Sequence, residues 1–322
     1  MVAQRKDSVM ERSSKMNNVI ITGIVSCLLI ATIFLAGCTS NSPQAATATV
    51  ATPQPVVTAA PAASPAAATA TATPKPTFTP SAGTVVAFTA ASLSGVSPTL
   101  AADFAKAYPG ENVVFNLDGT QALKTQVENG AYADVFISAS NSYTKELTTG
   151  GYFVNGSVTP LTSNYLIVIL PAANTANITS LADLANPGVK IAVEDRSVPA
   201  GTATVAVLAS LANSTYSQDW NNSVYNNVVT RELSEPAVAT KVSLGEVDAG
   251  FVYESTYTAA PRNTYLAITI PKKDNYLQTY TIGVLNASTS RSAAGDFETF
   301  MLSPAGQQDL LNFGFRPLSS TS

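Results

Sequence analysis

VVAFTAASL, residues 85–93, joins a short run of β-branched and aromatic residues to two alanines and a serine. Apolar runs of this length predict a buried strand, and the segment that follows, from Pro98 to Ala107, has the apolar spacing of a helix. Ser92 stands between the two, where its hydroxyl can cap the helix. The sequence therefore predicts a strand that ends in small residues and leads into a helix.

The same order of strand and helix recurs along the chain. Further strands are predicted at 113–115, 135–138, 165–170, 189–193 and 249–253, and further helices at 121–129, 180–185, 201–211, 235–244 and 293–301. This alternation is typical of α/β architecture with mostly parallel strands. In open α/β sheets the ligand lies outside the carboxyl ends of the strands, where helix amino termini present free N–H groups and a positive dipole end. The pattern therefore favours an anionic ligand.

Residues 1–38 have the pattern of a targeting segment. Four basic residues lie before residue 16, and an apolar run from Val19 to Phe34 follows, as in a signal peptide. The run leads into LAGC, residues 35–38, which resembles the lipobox of prokaryotic lipoproteins and implies that Cys38 carries a lipid. The alternative is an uncleaved membrane anchor, which normally needs about 20 apolar residues. Both interpretations place the rest of the chain outside the membrane.

Residues 39–82 are almost entirely Ala, Thr, Pro, Ser and Val, and Lys75 is their only charged residue. Such a segment cannot bury enough apolar surface to fold, and its repeated prolines favour a semi-extended chain. We predict a disordered tether over residues 39–82 and a folded body over residues 83–322.

The composition argues against an enzyme. The chain has no histidine, and both of its cysteines, Cys27 and Cys38, belong to the predicted leader. The body therefore lacks the commonest soft metal ligands and the usual Ser–His and Cys–His nucleophile pairs. The formal net charge is −4 and the sequence has no basic patch, which argues against nucleic acid as a partner. We predict no catalytic residues and no cofactor.

Two hydroxyl side chains stand at predicted helix starts. Ser92 follows the first strand, and Thr120 follows the second strand and Gly119, which permits a tight turn. Taken singly, each hydroxyl is explained by ordinary helix capping, which is worth about 1 kcal/mol. The repetition of the arrangement favours a binding role.

Two further junctions carry candidate residues. The segment SVPAGT at residues 197–202 places small residues around Ala200, where a ligand can approach the backbone closely. The last junction begins at Glu235, passes through a helix and a polar turn, and ends in a short buried strand at Tyr253. A tyrosine in that position is more often a packing residue, so neither junction identifies a site by itself.

Together these segments resemble the periplasmic molybdate-binding family of solute-binding proteins, including its archaeal molybdate/tungstate relatives. The matching pieces are FTAASL (88–93), QVENGAYADVFISA (126–139), VPAG (198–201) and GEVDAGFVY (245–253), in family order across residues 85–317. The resemblance implies a two-lobe α/β fold of the type II periplasmic-binding-protein class with two crossover hinge segments. One lobe would comprise residues 83–162 and 258–322, and the other residues 163–257.

The resemblance also implies the ligand shell. In that family hydroxyl and backbone N–H groups from both lobes hold the oxyanion, and by position these would be Ser92, Thr120, Ala200, Glu235 through its backbone N–H, and Tyr253 through its phenol. Neutral donors aimed at a dianion make charge-assisted hydrogen bonds. A donor-only site suits fully deprotonated molybdate, tungstate or sulfate, whereas hydrogen phosphate would leave its O–H without an acceptor. The size of the site would then have to exclude sulfate, whose bonds are shorter.

Glu235 departs from the bacterial pattern, in which this position is small and apolar. Archaeal relatives can place a carboxylate there to complete the coordination of the metal. Those relatives pair it with an aspartate that would align near Val198, and this chain has no aspartate at that position. Two interpretations therefore stay open: Glu235 is a ligand of the bound Mo or W, or it is a first-turn acid that the helix dipole favours. Thr256 replaces a frequent aspartate, which leaves the polar bonding of the hinge open.

The resemblance implies a monomeric lipoprotein at the outer face of the cell membrane. It would bind molybdate or tungstate and deliver it to the membrane permease of an ABC importer. Two alternatives stay open: a binding protein for another tetrahedral oxyanion such as sulfate, and a surface sensor lipoprotein without a transport role.

Overall fold

The structure is a computed structural model that describes residues 78–79 and 81–317. The predicted signal peptide, the predicted lipidation site at Cys38 and nearly all of the predicted tether lie outside the described residues. In the described part of the chain, no helix is long and apolar enough to cross a membrane.

Strands and helices alternate along the described chain, which confirms the α/β prediction. The strands are β1 (Thr84–Ala90), β2 (Asn112–Asp118), β3 (Val135–Ser138), β4 (Thr159–Pro171), β5 (Ile191–Glu194), β6 (Val228–Glu232), β7 (Ala249–Tyr253), β8 (Tyr265–Thr269) and β9 (Leu277–Val284). The α-helices are α1 (Ser97–Ala107), α2 (Thr120–Glu128), α3 (Asn141–Thr149), α4 (Pro199–Ser214), α5 (Gln218–Asn226), α6 (Glu235–Ser243), α7 (Glu254–Ala259), α8 (Arg291–Leu302) and α9 (Pro304–Asn312). Short 3-10 helices cover Ala91–Leu93 and Leu181–Ala185, and the second of these lies where a helix was predicted at 180–185.

The strands are hydrogen-bonded in the order β2-β1-β3-β9-β4-β7-β5-β6, and β8 also pairs with β4. The pairs β1–β2, β1–β3, β5–β6 and β5–β7 are parallel. All pairs of β4 and β9 are antiparallel. The prediction of mostly parallel strands is therefore wrong, because two long strands, β4 and β9, run back through the middle of the sheet.

The first half of the body is built on β1, β2, β3, β9 and the beginning of β4. Successive residues of β1 point to opposite faces: Val85 and Ala87 join one hydrophobic cluster, and Val86 and Phe88 join another. Both faces of the strand are thus covered, which explains why its sequence is a continuous apolar run rather than an alternating one. On one face the ring of Phe104 from α1 contacts Phe297 from α8 edge to face, with centroids 5.1 Å apart.

The second half is built on the end of β4 with β5, β6, β7 and β8. Leu166 and Val168 of β4 join one cluster, which also contains the buried residues of α4, while Ile167 and Ile169 join a cluster on the other face with residues of α6. We call these two clusters the second core. This half, like the first, has helices on both faces of its strands, so the two halves each bury their own apolar side chains.

The two-lobe division stays a prediction, and the clusters support it with one change of boundary. β4 pairs with β9 up to Tyr165 and with β7 from Leu166 onward, so the first crossing lies near the predicted position. β8 pairs with the end of β4, and Ile270 belongs to the second core. Residues 265–270 therefore lie with the second half, although they were predicted in the lobe that contains 258–322.

Candidate functional site

The ends of β1 and β2 bring the first two predicted residues together. These strands are parallel and in register, with Ala90 opposite Asp118, so both end at the same edge of the sheet. The 3-10 helix after β1 carries Ser92, and α2 begins at Thr120 directly after β2. The register of their strands therefore places Ser92 and Thr120 at the same edge of the sheet.

The other three predicted residues come from the second half. Ala200 lies in the first turn of α4, which begins with proline after β5, and Glu235 is the first residue of α6. Tyr253 is the last residue of β7, which is parallel to β5. All three lie at the carboxyl-end edge of this part of the sheet.

One cavity collects all five predicted residues. It has about 220 Å³ of space, part of it open to solvent, and its lining comprises Ala90, Ala91, Ser92, Gly119, Thr120, Ala139, Glu194, Val198, Pro199, Ala200, Glu235 and Tyr253. A larger cavity of about 660 Å³ lies beside the middle of β4, and none of the five residues lines it. Residues from the ends of five strands, β1, β2, β5, β6 and β7, thus meet at the smaller cavity, as the resemblance implies, while their role as ligands stays a prediction.

The hydroxyl groups of the cavity are buried donors. The Oγ of Ser92 lies 2.8 Å from the Tyr280 hydroxyl, and the Oγ1 of Thr120 accepts the Ala139 N–H at 3.2 Å, which leaves the Thr120 proton available. The Tyr253 hydroxyl donates to Gln278 over a long 3.3 Å. Burial raises the pKa of the Tyr253 phenol well above its ordinary value, so the phenol keeps its proton and can donate.

Glu194 is a cavity residue that the sequence analysis missed. It is the last residue of β5, its exposed fraction is 3%, and its Oε2 accepts the Ala200 N–H at 3.0 Å. The only signal in the sequence was an acidic residue at the end of the apolar run Ile191–Val193. The Ala200 N–H, which was predicted to face the ligand, therefore already has a carboxylate partner.

Glu235 is a first-turn acid, as one of its two interpretations holds, and it is also buried, with an exposed fraction of 2%. Its Oε1 accepts the Tyr253 N–H at 2.6 Å and the Thr256 hydroxyl at 2.7 Å. Its Oε2 has no hydrogen-bond partner among the described residues. Burial raises the pKa of the Glu235 carboxyl to about 7, against the opposing effect of these two hydrogen bonds. Thr256, which stands where the family frequently has an aspartate, thus bonds to Glu235.

The electrostatics of the cavity have two opposing parts. The amino termini of α2, α4 and α6 all lie at its wall, and each carries a partial positive charge. Its charged side chains are Glu194 and Glu235, and no lysine or arginine is among the lining residues. The expected donor-only lining is therefore wrong, because two carboxyl groups belong to it.

In the described part of the chain no three His, Cys, Asp or Glu residues are grouped closely enough to hold a metal ion.

Direct contacts join the two halves around the cavity. Gln121 of α2 donates to the Leu233 carbonyl oxygen at 3.0 Å, and the Tyr143 hydroxyl of α3 donates to the Ser197 carbonyl oxygen at 2.6 Å. Gly119 is required at this point, because a Cβ there would lie 2.7 Å from the Leu233 carbonyl oxygen. The backbones of the two halves thus approach each other closely beside the candidate ligand site.

Comparison with known proteins shows which family and fold this chain resembles. A family model described as bacterial extracellular solute-binding protein matches residues 85–316. The molybdate-binding protein ModA of Mycobacterium tuberculosis is 31% identical over 295 residues, which cover 91% of this chain and 96% of that protein. The substrate-binding domain of a putative molybdenum ABC transporter from Clostridium difficile superposes with a TM-score of 0.57 at 28% identity, covering 73% of this chain and 99% of that one. The periplasmic molybdate-binding protein of Azotobacter vinelandii superposes with a TM-score of 0.63 at 21% identity, over 73% and 100% of the two chains, and shows the same fold.

Proposed function

This chain belongs to the family of bacterial extracellular solute-binding proteins and has the type II periplasmic-binding-protein fold, and we propose that it binds molybdate or tungstate for an ABC importer. The full-length relatives named for molybdate binding support the choice of ligand. The family relationship supports a membrane permease as the partner that receives the anion. We further propose that the body acts as a monomer held to the outer face of the membrane through Cys38.

The convergence of Ser92, Thr120, Ala200, Glu235 and Tyr253 at one cavity carries this proposal. Three helix amino termini meet the same cavity, and such termini bind anions through backbone N–H groups and the helix dipole. Buried hydroxyl donors suit an oxyanion, since hydrogen bonds to a charged acceptor are worth about 1.5 to 3 kcal/mol each. The arrangement offers no activated nucleophile, so we expect binding without catalytic turnover.

We propose that Glu235 mainly positions other residues of the site, because its Oε1 accepts hydrogen bonds from the backbone N–H of Tyr253 and from the hydroxyl of Thr256. These contacts connect the start of α6 to the end of β7 and so fix the position of the tyrosine. Its Oε2 has no partner among the described residues. The other interpretation, that Glu235 is a ligand of the bound Mo or W, therefore stays open, and Glu235→Gln tests it.

The test is isothermal titration calorimetry of the full chain, freed of bound anion, against molybdate, tungstate, sulfate and phosphate at pH 7. We expect submicromolar binding of molybdate or tungstate, more favourable than about −8 kcal/mol, with sulfate far weaker. A preference for sulfate would transfer the proposal to another tetrahedral oxyanion. Binding of none of the four would refute anion binding and favour a surface sensor without a transport role.

A further inference from the structure

Glu194 accepts a hydrogen bond from the Ala200 N–H, which is also a proposed donor to the ligand. The turn between β5 and α4 is folded so tightly that a Cβ at Gly201 would lie 1.9 Å from the Asp195 carbonyl oxygen. The tight turn brings the first amides of α4 back onto the end of β5, where the Glu194 Oε2 accepts the Ala200 N–H at 3.0 Å. A carboxylate oxygen thus occupies the position at which an oxyanion oxygen would accept the same N–H.

Few groups near Glu194 can compensate its charge. From the elements packed around it, the titratable or charged side chains are Glu235 and Lys241 on α6, Tyr253 on β7, Tyr280 on β9, Arg231 and Glu232 on β6, and Asp195 and Arg196 in the adjoining turn. The residues that line the cavity include Glu235 and Tyr253 but neither the lysine nor an arginine. Burial, and then the charge of Glu235, raise the pKa of the Glu194 carboxyl well above its usual range.

A dianion in this cavity meets the two carboxyl groups without a compensating cation. Like charges that are close together disfavour the ionised form of the group that can take a proton. Burial strengthens the effect, because a buried charge without a partner is costly. Molybdate, tungstate and sulfate are fully deprotonated near neutral pH, so the proton has to go to the protein.

We propose that Glu194 is part of the anion site. The incoming oxyanion replaces the Glu194 carboxylate as the acceptor of the Ala200 N–H, and Glu194 takes up one proton, through which it donates a hydrogen bond to the anion. The inference rests on the proposed function. The overall reaction is protein plus dianion plus one proton from solvent, which gives the complex with a neutral carboxyl group. Glu194 thereby sets both the affinity and its dependence on pH.

The sign of the effect follows from linkage. The complex holds the proton up to a higher pH than the free protein does, so binding is tightest at low pH and weakens as the pH rises above the pKa of Glu194 in the free protein. Uptake of one proton makes Kd rise by up to about tenfold per pH unit in that range. The ligands themselves do not titrate there and contribute no slope.

The test is calorimetric titration of the full chain with molybdate and with sulfate from pH 6 to 9, in pairs of buffers that differ in ionisation enthalpy. The Kd values and the buffer-dependent heat give two independent counts of the protons taken up. The variants are Glu194→Gln, which keeps the size and removes the charge, and Glu194→Ala, which removes the group. Glu246→Gln removes an exposed carboxyl outside the cavity and serves as the matched control, while Glu235→Gln separates the two cavity carboxyls.

We expect the wild type and the Glu246→Gln control to take up about one proton or more per anion at the alkaline end, and both Glu194 variants to take up about one proton less. A wild-type Kd that is constant from pH 6 to 9 overturns the inference, whatever the variants do. Proton uptake that is unchanged in whichever Glu194 variant folds, or that is lost only in Glu235→Gln, also overturns it. Binding without proton uptake leaves the proposed function standing, whereas binding of no anion refutes the proposed function and this inference with it.

Discussion

Replacing Glu235 by glutamine is expected to change how the stability of the protein depends on pH. The carboxyl is buried and its pKa in the folded state is raised from 4.5 to about 7. The folded protein therefore binds this proton more tightly than the unfolded chain does. Its contribution to stability is fully present below pH 4.5 and is lost as the pH rises through 7.

The magnitude follows from the size of the shift. Each pKa unit corresponds to about 1.4 kcal/mol, so a shift from 4.5 to about 7 represents about 3 kcal/mol of stability lost across that range. Glutamine keeps an oxygen that can accept from the Tyr253 N–H and the Thr256 hydroxyl, and it never ionises. Between pH 5 and pH 8, the difference in free energy of unfolding should therefore move by about 3 kcal/mol in favour of Glu235→Gln.

The assay is urea unfolding at pH 5, 6, 7 and 8, followed by the fluorescence of the chain's single tryptophan, Trp220, which lies in the second core. Glu246→Gln, an exposed carboxyl paired with Lys241 at 3.1 Å, is the control and should change stability by less than about 1 kcal/mol at every pH. Parallel pH profiles for the wild type and Glu235→Gln would refute the reasoning. The molybdate affinity of Glu235→Gln decides whether Glu235 is a ligand of the bound metal, since replacing such a ligand should cause a large loss of binding.

Three further predictions test the site and the packing around it. Ser92→Ala and Tyr253→Phe should each weaken molybdate binding by about 1.5 to 3 kcal/mol in calorimetry at pH 7, because each removes a donor to a charged acceptor; unchanged affinity in both would remove these residues from the site. Gly201→Ala should lower the free energy of unfolding by more than about 2 kcal/mol, because its Cβ would lie 1.9 Å from a carbonyl oxygen of the preceding turn. Gly295→Ala is the control: its Cβ meets nothing within 4 Å, so the change should stabilise its helix by about 0.5 to 1 kcal/mol. Equal effects of the two in urea unfolding would contradict the tight turn. Tyr143→Phe removes a bond between the two halves and should speed anion release in stopped-flow measurements by roughly 2- to 10-fold, while an unchanged release rate would show that the bond does not hold the bound form.

The two carboxyl groups change how the selectivity of the cavity is understood. At an effective dielectric constant of about 20, two unit charges 4 Å apart interact by about 4 kcal/mol, so a dianion beside an ionised carboxylate would lose roughly twice that. This is similar to the whole binding free energy of about 8 kcal/mol at a micromolar Kd. A protonated Glu194 avoids the loss and adds one more donor, so the lining can still favour a fully deprotonated anion.

Local patterns in the sequence were enough to predict the fold class and most of the elements. Continuous apolar runs such as 85–88 and 249–253 mark strands that are buried on both faces, and they were predicted as strands. β6, β8 and β9 were missed because polar and apolar residues are mixed along them, as in LQTYTIGV at residues 277–284. The mixed direction of the strands was missed for a related reason: strand direction is decided by which strands pair, and no local pattern records it.

The positions of Ser92, Thr120, Ala200, Glu235 and Tyr253 at strand ends and helix starts were predicted from the sequence, because small residues, hydroxyls and helix signals are local features. Their meeting at one cavity, between residues as far apart in the chain as 92 and 253, depends on strand register and on the packing of the two halves. The roles of the carboxylates depend on the same packing. A glutamate at the end of an apolar run is equally compatible with an exposed or a buried side chain, and only the fold of the turn around Gly201 brings Glu194 onto the Ala200 N–H.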